Sequence, residues 1–197
     1  MAKQLLLDTT AKYLVVGLSD ENKILEKIQY VAWQRQSEFT IQEVKNILDK
    51  TGSDINEIKR IVVSNGPGSY TGIRIALTIA KILGFCLDIP VCVLSSLQTI
   101  AGAKGKRIAL IDARSKRAYI GIYKDGKQVI KDQVLPIDDI QELIKKYPDY
   151  ELVGDTFLLG IENKEIDYVD NMFELSKIVE DYPNIDALVP VYLKEAL

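Results

Sequence analysis

The predicted order of secondary-structure elements occurs twice along the chain. In the first half, short apolar runs and amphipathic stretches predict three strands, a helix, a strand, a helix, a strand and a helix. In the second half, three strands, a helix, a strand and a helix follow in the same order. Sliding the chain over itself by 104 residues also places Asp8 on Asp112 and Gly17 on Gly121. Chance similarity of two hairpins is the alternative, and the repeated element order argues against it.

The length of this repeat predicts two similar lobes, because solenoid arrays have much shorter periods. We expect an α/β fold with an N-terminal lobe over residues 1–104 and a reduced C-terminal lobe over residues 105–197. A duplicated βββαβαβα lobe resembles the plan of the actin-like ATPase superfamily (the ASKHA, RNase H-like fold), which includes Hsp70 and the sugar kinases. The resemblance implies that nucleotide phosphates would lie in a cleft, against the hairpin turn that follows the first strand of each lobe.

The two hairpin turns have the wrong composition for holding phosphate. Backbone N–H groups reach a phosphate closely only where glycine removes the Cβ atom. The turns read Asp8-Thr9-Thr10-Ala11-Lys12 and Asp112-Ala113-Arg114-Ser115-Lys116, without a glycine. Their aspartates either position Mg²⁺ or simply end the strands and cap the turns. The sequence therefore predicts a degenerate nucleotide site.

Composition removes several classes of function. The 197 residues include no histidine, which excludes Ser-His-Asp and Cys-His nucleophile pairs and the His-Glu-x-x-His zinc helix. We expect no metal site and no cofactor on the isolated chain. The formal net charge of −3 argues against autonomous, non-specific nucleic-acid binding. Cys86 and Cys92 lie in apolar surroundings, as buried thiols do in a reducing compartment, and no apolar run approaches the roughly 20 residues of a membrane span. We expect a cytoplasmic protein with no membrane contact.

A glycine-rich loop precedes the second predicted helix, and it reads Gly66-Pro67-Gly68-Ser69-Tyr70-Thr71-Gly72. The loop is not a Walker A sequence, because Ile73 stands where the lysine is required, and it does not match G-x-G-x-x-G. A Gly-Pro-Gly segment is more often a tight turn than a ligand cradle. We expect the loop to set the direction of the helix, with Ser69 or Thr71 as its N-cap.

Two helices flank this loop in the sequence. The capping box Thr40-Ile41-Gln42-Glu43 predicts the start of the first helix, with Ser37 as an equally good start. The second helix, over about residues 73–86, has strongly polar residues only at Arg74, Thr78 and Lys81. Its apolar surface is much wider than the roughly 100° stripe of a surface helix. Such a helix is either enclosed in its own domain or covered by another chain, and we favour a protein interface.

A basic cluster lies near the predicted lobe boundary, consisting of Lys104, Lys106, Arg107, Arg114, Lys116 and Arg117. Such a cluster is usually a solvated face. An RNA surface is the alternative, but no aromatic residue for base stacking is interleaved before Tyr119.

The segment Ser64-Asn65-Gly66-Pro67-Gly68-Ser69-Tyr70-Thr71-Gly72-Ile73-Arg74 resembles the hallmark loop of the TsaB (YeaZ) family. Supporting matches are Leu7-Asp8-Thr9-Thr10, Leu110-Ile111-Asp112-Ala113-Arg114, Gly154-Asp155 and Pro190-Val191-Tyr192-Leu193-Lys194. The similarity covers essentially the whole chain and is weakest from about residue 147 to 177. Gln36-Ser37 departs from the histidine-serine pair that many members have before the first helix.

The resemblance implies a non-catalytic scaffold subunit in the bacterial machinery that makes threonylcarbamoyladenosine beside the tRNA anticodon. The implied partners are TsaD, in a heterodimer through first-lobe helices, and the ATPase TsaE. A homodimer is implied when the chain is alone, and tRNA would be met only through the complex. ATP and metal are expected on the partner subunits, and the protease label once given to such proteins does not suit a chain without histidine.

We expect the partner surface to combine apolar side chains with orienting charges. The candidate residues are Phe39, Ile41, Gln42, Lys45, Ile73, Arg74, Leu77, Ala80 and Lys81. Two other functions stay open at this point. One is an ATP-dependent kinase or ATPase of the same fold, and the other is an RNA-binding module that uses the basic cluster.

Overall fold

The computed structural model describes residues 2–32 and 34–193, so Lys194 of the C-terminal family motif lies outside them. The first half of the chain forms β1 (Lys3–Asp8), β2 (Tyr13–Ser19), β3 (Ile24–Val31), α1 (Gln36–Thr51), β4 (Ile58–Ser64), α2 (Tyr70–Leu87), β5 (Val91–Leu94) and α3 (Ser96–Ala101). The second half forms β6 (Lys106–Asp112), β7 (Arg117–Lys124), β8 (Lys127–Pro136), α4 (Ile137–Ile144), β9 (Glu151–Gly154) and α5 (Tyr168–Ser176). Short 3-10 turns are Ile55–Glu57, Thr156–Leu159 and Ile185–Ala187. The predicted element order is confirmed.

Each half builds one sheet of the same design. The first sheet has the order β3-β2-β1-β4-β5, with β1, β2 and β3 antiparallel and β4 and β5 parallel to β1. The second sheet has the order β8-β7-β6-β9 and repeats this pattern with one strand fewer. Central strands with helices on both faces are apolar throughout, as Leu5, Leu6 and Leu7 of β1 are. The duplicated actin-like architecture with a reduced second lobe is confirmed.

Strand register corrects one part of the predicted repeat. In the first lobe Leu6 pairs with Gly17, whereas in the second lobe Leu110 pairs with Ile120. The second hairpin is therefore one residue shorter, and Ile120 rather than Gly121 is the structural equivalent of Gly17. The alignment of β1 with β6 holds, but the glycine match is wrong.

The first helix begins before the predicted capping box. Helix α1 starts at Gln36, so Thr40 lies within it, and its Oγ1 donates to the Gln36 carbonyl oxygen at 2.6 Å. A threonine hydroxyl inside a helix often donates to a carbonyl oxygen of the preceding turn in this way. Thr40 is therefore an interior residue of α1 and not its N-cap. The alternative start near Ser37 is closer to the structure.

The two lobes share one core, although they have separate sheets. Helix α3 packs on the second sheet, and α5 packs on α3 and on β1, β2 and β3 of the first sheet. Buried residues from both halves, including Leu6, Leu97, Ala109 and Met172, form one cluster between the sheets. After α5 the chain returns to the first lobe, where Tyr182 N–H donates to the Val91 carbonyl oxygen at 2.8 Å. The division at residue 104 therefore separates the sheets but not the packing of the helices and of the C-terminal segment.

Candidate functional site

A cleft of about 1140 Å³ lies between the lobes, where the actin-like plan predicts one. Its first-lobe wall contains the turn after β1, the start of α1 and the 66–72 loop. Its second-lobe wall contains the turn after β6 and residues between 154 and 168. Tyr13, Tyr119 and Tyr168 line the cleft, and the ring centroids of Tyr13 and Tyr168 are 5.5 Å apart.

The 66–72 loop closes directly over the turn that follows β1. Ser69 N–H donates to the Thr10 carbonyl oxygen at 2.7 Å, and Thr9 Oγ1 donates to the Gly72 carbonyl oxygen at 2.6 Å. A Cβ atom at Gly68 would lie 2.3 Å from Thr10 O, and one at Gly72 would lie 2.0 Å from Thr9 O. Both distances are shorter than real contacts allow, so these glycines are needed to admit the neighbouring backbone. The loop therefore covers the backbone of Thr9 and Thr10, while Ala11 and Lys12 of the same turn remain on the cleft wall.

Asp8 at the end of β1 is only 2% exposed and caps its own turn. Its Oδ1 accepts from Thr10 N–H at 2.7 Å and from Thr10 Oγ1 at 2.8 Å, and the Ser96 hydroxyl donates to Thr10 Oγ1 at 2.9 Å. Its Oδ2 has no hydrogen-bond partner within the standard distance and angle limits. Burial raises the pKa of the Asp8 carboxyl, although the Ser64 hydroxyl and the Thr10 groups act in the opposite direction. Asp8 is thus a buried carboxyl group whose protonated form is favoured by its surroundings.

The second turn is open but is occupied by side chains. Asp112 Oδ1 accepts from Arg114 N–H at 2.7 Å, and Asp112 N–H donates to Asp155 Oδ2 at 2.8 Å. Arg114, Ser115 and Lys116 have φ angles of 61°, 54° and 56°, in the left-handed region. Burial raises the pKa of the Asp155 carboxyl, although the Asp112 N–H and the charge of Lys12 act in the opposite direction. Both turn aspartates therefore act as caps in this structure.

These residues do not fit a magnesium nucleotide. The protein's own loop packs on Thr9 and Thr10 of the first turn, and Asp8 is not among the residues that line the cleft. Within residues 2–32 and 34–193, no three His, Cys, Asp or Glu side chains are grouped so that they could hold a metal ion. No chemical step is assigned to this cleft.

Helix α2 leaves the loop with Ser69 as its N-cap, as predicted, because the Ser69 side chain accepts from Gly72 N–H at 3.2 Å. One face of the helix packs on β4 and β1. Ile73, Leu77 and Ala80 lie on that face and belong to the core of the first lobe. The expectation that these three residues lie on the partner surface does not hold, because the chain's own packing already buries them.

The outward face of α2 is apolar but is made of other residues. Ile82 is 56% exposed and Phe85 is 76% exposed, and both flank the polar positions Arg74 and Thr78. Cys86 is also exposed, contrary to the expected buried thiol, whereas Cys92 is buried and burial raises its pKa to about 11. This face of α2 (residues 74, 78, 82, 85 and 86), called the α2 outer face below, is the part of the helix open to another chain.

The other candidate partner residues lie on or beside this region. Ile41, Gln42 and Lys45 are exposed on α1, and Phe39 is half-buried between α1 and the first-lobe core. Lys81 was also expected on the partner surface, but its Nζ donates to the carbonyl oxygens of Asp186 and Leu188, both at 3.1 Å. It binds the C-terminal segment of its own chain.

The basic cluster is partly neutralised within the chain. Lys106 pairs with Asp149, and Arg107 pairs with Glu151 at 3.5 Å. Arg107 Nη1 also donates to the Ala101 carbonyl oxygen at 2.9 Å. These pairs reduce the positive charge that the cluster presents to an RNA backbone.

By length and composition, α2 is the single helix of the described chain that could cross a bilayer. One third of its 18 residues are buried inside the fold, on the face that packs against the sheet. The same composition is found in core helices of folded domains, so the feature is weak support for a membrane span.

The sequence pattern of α2 also indicates its exposed apolar residues, which were not among the candidate partner residues. Ile82 and Phe85 follow Thr78 by four and seven positions, so they share the face that the polar stripe marks as outward. The cleft tyrosines had no such signal, because the fold brings Tyr13, Tyr119 and Tyr168 together from distant parts of the chain.

Comparisons with known proteins agree with the fold and with the sequence motifs. The family model described as "TsaD: tRNA N6-adenosine threonylcarbamoyltransferase" matches residues 30–156. The tRNA threonylcarbamoyladenosine biosynthesis protein TsaB of Bacillus subtilis is 36% identical over 152 residues, which cover 72% of this chain and 66% of that protein. TsaB of Escherichia coli is 29% identical over 126 residues, covering 61% of this chain and 54% of that protein.

A solved structure shows the same fold over nearly the whole chain. The protein from Pseudomonas aeruginosa described as similar to peptidase YEAZ has a TM-score of 0.80 at 22% identity, covering 98% of this chain and all of that one. With the family model matching well over half of the residues, the sequence motifs and the fold lead to one assignment. The chain belongs to the TsaB (YeaZ) family of tRNA threonylcarbamoyladenosine biosynthesis proteins.

Proposed function

We propose that this chain is a non-catalytic partner subunit in the synthesis of threonylcarbamoyladenosine in tRNA, paired with TsaD through α1 and α2. The observation that carries the proposal is the first turn, which has no glycine and whose Thr9 and Thr10 backbone is covered by the 66–72 loop. A chain of this fold that cannot hold a nucleotide there contributes to the reaction by binding other proteins.

The α2 outer face supplies a suitable surface. Ile82 and Phe85 expose large apolar side chains on the same face of α2 as Arg74, which lies about two to three turns nearer the start of the helix. The face thus has an apolar part with a charge toward one end. The residues of α1 that remain candidates, Ile41, Gln42 and Lys45, extend the surface. Apolar side chains exposed in this number are typical of a surface that another protein covers.

The partner is a subunit with the same domain. Residues 30–156, which include both α1 and α2, match the TsaD family model. A TsaD subunit therefore offers an equivalent pair of helices, and two such pairs can pack around an approximate two-fold axis, as in an isologous dimer. The same geometry allows a homodimer when TsaD is absent. TsaE would join the pair, tRNA would be met through the complex, and ATP and metal would be held by the partners in the cytoplasm.

A kinase or an RNA-binding module is less well supported. The glycine-free first turn, with its Thr9 and Thr10 backbone covered by the loop, lacks the phosphate contacts that a kinase needs. Ion pairs at Lys106 and Arg107 weaken the basic cluster as an RNA surface. No observation on the described residues favours either function over the partner role.

The test is the affinity of purified chain for TsaD, measured by calorimetry with Phe85→Glu and Ile82→Glu. A buried apolar anchor is worth about 2 kcal/mol or more at an interface, so we expect each change to weaken binding at least 30-fold. Val129→Glu on β8 is the matched control, since Val129 is also an exposed apolar residue. Leu77→Glu is unsuitable, because it would place a charge in the core. Wild-type affinity of both α2 variants would refute the proposed interface.

A further inference from the structure

The C-terminal segment follows α2 along nearly its whole length. Residues 181–192, called the strap below, run antiparallel to α2 from Gly84 to Tyr70. At the first end, a Cβ atom at Gly84 would lie 2.5 Å from Ile185 Cδ1. At the other end the Tyr192 ring stacks on the Tyr70 ring, with centroids 4.9 Å apart and planes 19° apart. These contacts span 14 residues of helix, or about 21 Å.

The start of the strap is fixed by a partly buried arginine. Arg60 on β4 donates to the carbonyl oxygens of Ser176 at 2.7 Å and Val179 at 3.1 Å, and its Nε pairs with Asp181 at 2.6 Å. The strap continues the edge of the first sheet through an antiparallel bridge between Asp181 and Cys92. It is therefore an integral part of the first lobe.

The middle of the strap is held by α2 itself. Lys81 Nζ donates to two strap carbonyl oxygens, as described above, and Leu188 is buried in the same core cluster as Leu77. Close to the end, Val191 N–H donates to the Asn65 carbonyl oxygen at 2.8 Å, beside the 66–72 loop. The strap thus contacts α2 near both of its ends and at Lys81, on the flank next to the α2 outer face.

The end of the strap contacts the first turn of α2, next to Arg74 of the α2 outer face. The Arg74 guanidinium lies 5.1 Å from the Tyr70 ring centroid and hydrogen-bonds the Tyr70 hydroxyl, while Tyr192 covers the Tyr70 ring by stacking. Tyr192 is 44% exposed and Val189 is 61% exposed, so the strap also adds apolar surface at this edge. Tyr70 thus links the Tyr192 ring of the strap to the guanidinium of Arg74.

We propose that the strap is the second half of the partner surface, with Tyr192 as the positioning residue that orients Tyr70 and Arg74 toward the TsaD subunit. The inference rests on the proposed function, because the strap adjoins the α2 outer face on which that proposal depends. The strap lies outside residues 30–156, the part of the chain that matches the TsaD family model.

The experiment compares Tyr192→Ala, Tyr192→Phe and Tyr182→Ala for affinity toward TsaD and for thermal unfolding. Tyr182 is the matched control, because it lies in the same strap with a partly exposed ring and takes no part in the stack. We expect Tyr192→Ala to weaken binding about tenfold at an almost unchanged unfolding temperature, and Tyr192→Phe to stay within about threefold of wild type, since it keeps the stacking ring.

Two results would overturn this inference. One is wild-type affinity for Tyr192→Ala in a series where Phe85→Glu abolishes binding, which would leave the proposed function intact. The other is an equal loss for Tyr192→Ala and Tyr182→Ala, because a general loosening of the strap would then explain both. If neither the strap variants nor Phe85→Glu alter binding, the proposed function fails as well.

Discussion

Replacing Gly72 by alanine tests the role of the glycine-rich loop. The new Cβ atom would lie 2.0 Å from Thr9 O, and that oxygen belongs to backbone that a rotamer change cannot move. Relief to a tolerable distance requires a shift of about 1 Å between the loop and the turn. The shift would strain two hydrogen bonds, from Thr9 Oγ1 to Gly72 O and from Ser69 N–H to Thr10 O.

The expected loss of stability follows from these contacts. Overpacking of a closely fitted site costs about 1–3 kcal/mol. Each strained hydrogen bond contributes about 0.5–1.5 kcal/mol when intact. We therefore expect the free energy of unfolding to fall by roughly 2–6 kcal/mol, a large part of the roughly 5–15 kcal/mol of a typical domain.

Urea unfolding followed by circular dichroism measures this loss. Thr71→Ala is the control, because Thr71 is the exposed neighbour of Gly72 and should change the free energy of unfolding by no more than about 0.5 kcal/mol. An alanine at position 72 without loss of stability would refute the packing role. If the same variant lost an affinity for ATP that the wild type had, the loop would be a phosphate cradle after all.

Two further predictions concern the first turn and the cleft. Asp8→Asn should raise the free energy of unfolding by about 1–3 kcal/mol at neutral pH, because the amide cannot ionise and so avoids the cost that burial places on the ionised carboxyl. Since the pKa of Asp8 is raised in the folded protein, its contribution is greatest at low pH and falls as pH rises above its unfolded pKa of about 4. The advantage of the variant should therefore grow with pH in parallel urea titrations, and an advantage that shrinks would show an ionised, stabilising Asp8. Titration of the isolated chain with ATP and Mg²⁺ should give no binding heat, and saturable binding would favour the kinase alternative.

The elements of the fold could be predicted from the sequence because each carries a local pattern. The bounds of β1, β2 and β3 follow from runs of branched and apolar residues between polar turns. The repeat of the two lobes was visible for the same reason, although the one-residue difference between the hairpins was hidden in the register of Leu110 with Ile120.

The partner surface could be predicted only in part. A nearly all-apolar helix does not show which side its own domain covers, and the choice of Ile73, Leu77 and Ala80 selected the side that packs on the sheet. The strap had no local signal, since its placement depends on distant contacts such as those of Arg60 and Lys81. The closure of the 66–72 loop over Thr9 and Thr10 likewise joins segments about 60 residues apart.

The most direct test of the account is reconstitution of tRNA modification. TsaD, TsaE, the threonylcarbamoyl-adenylate synthase, ATP and tRNA are combined with or without this chain, and modified adenosine is quantified after nucleoside digestion. A partner subunit predicts modification that requires both TsaD and this chain, with no product when the chain replaces TsaD. Equal product without the chain, or product formed by the chain in the absence of TsaD, would contradict the partner role.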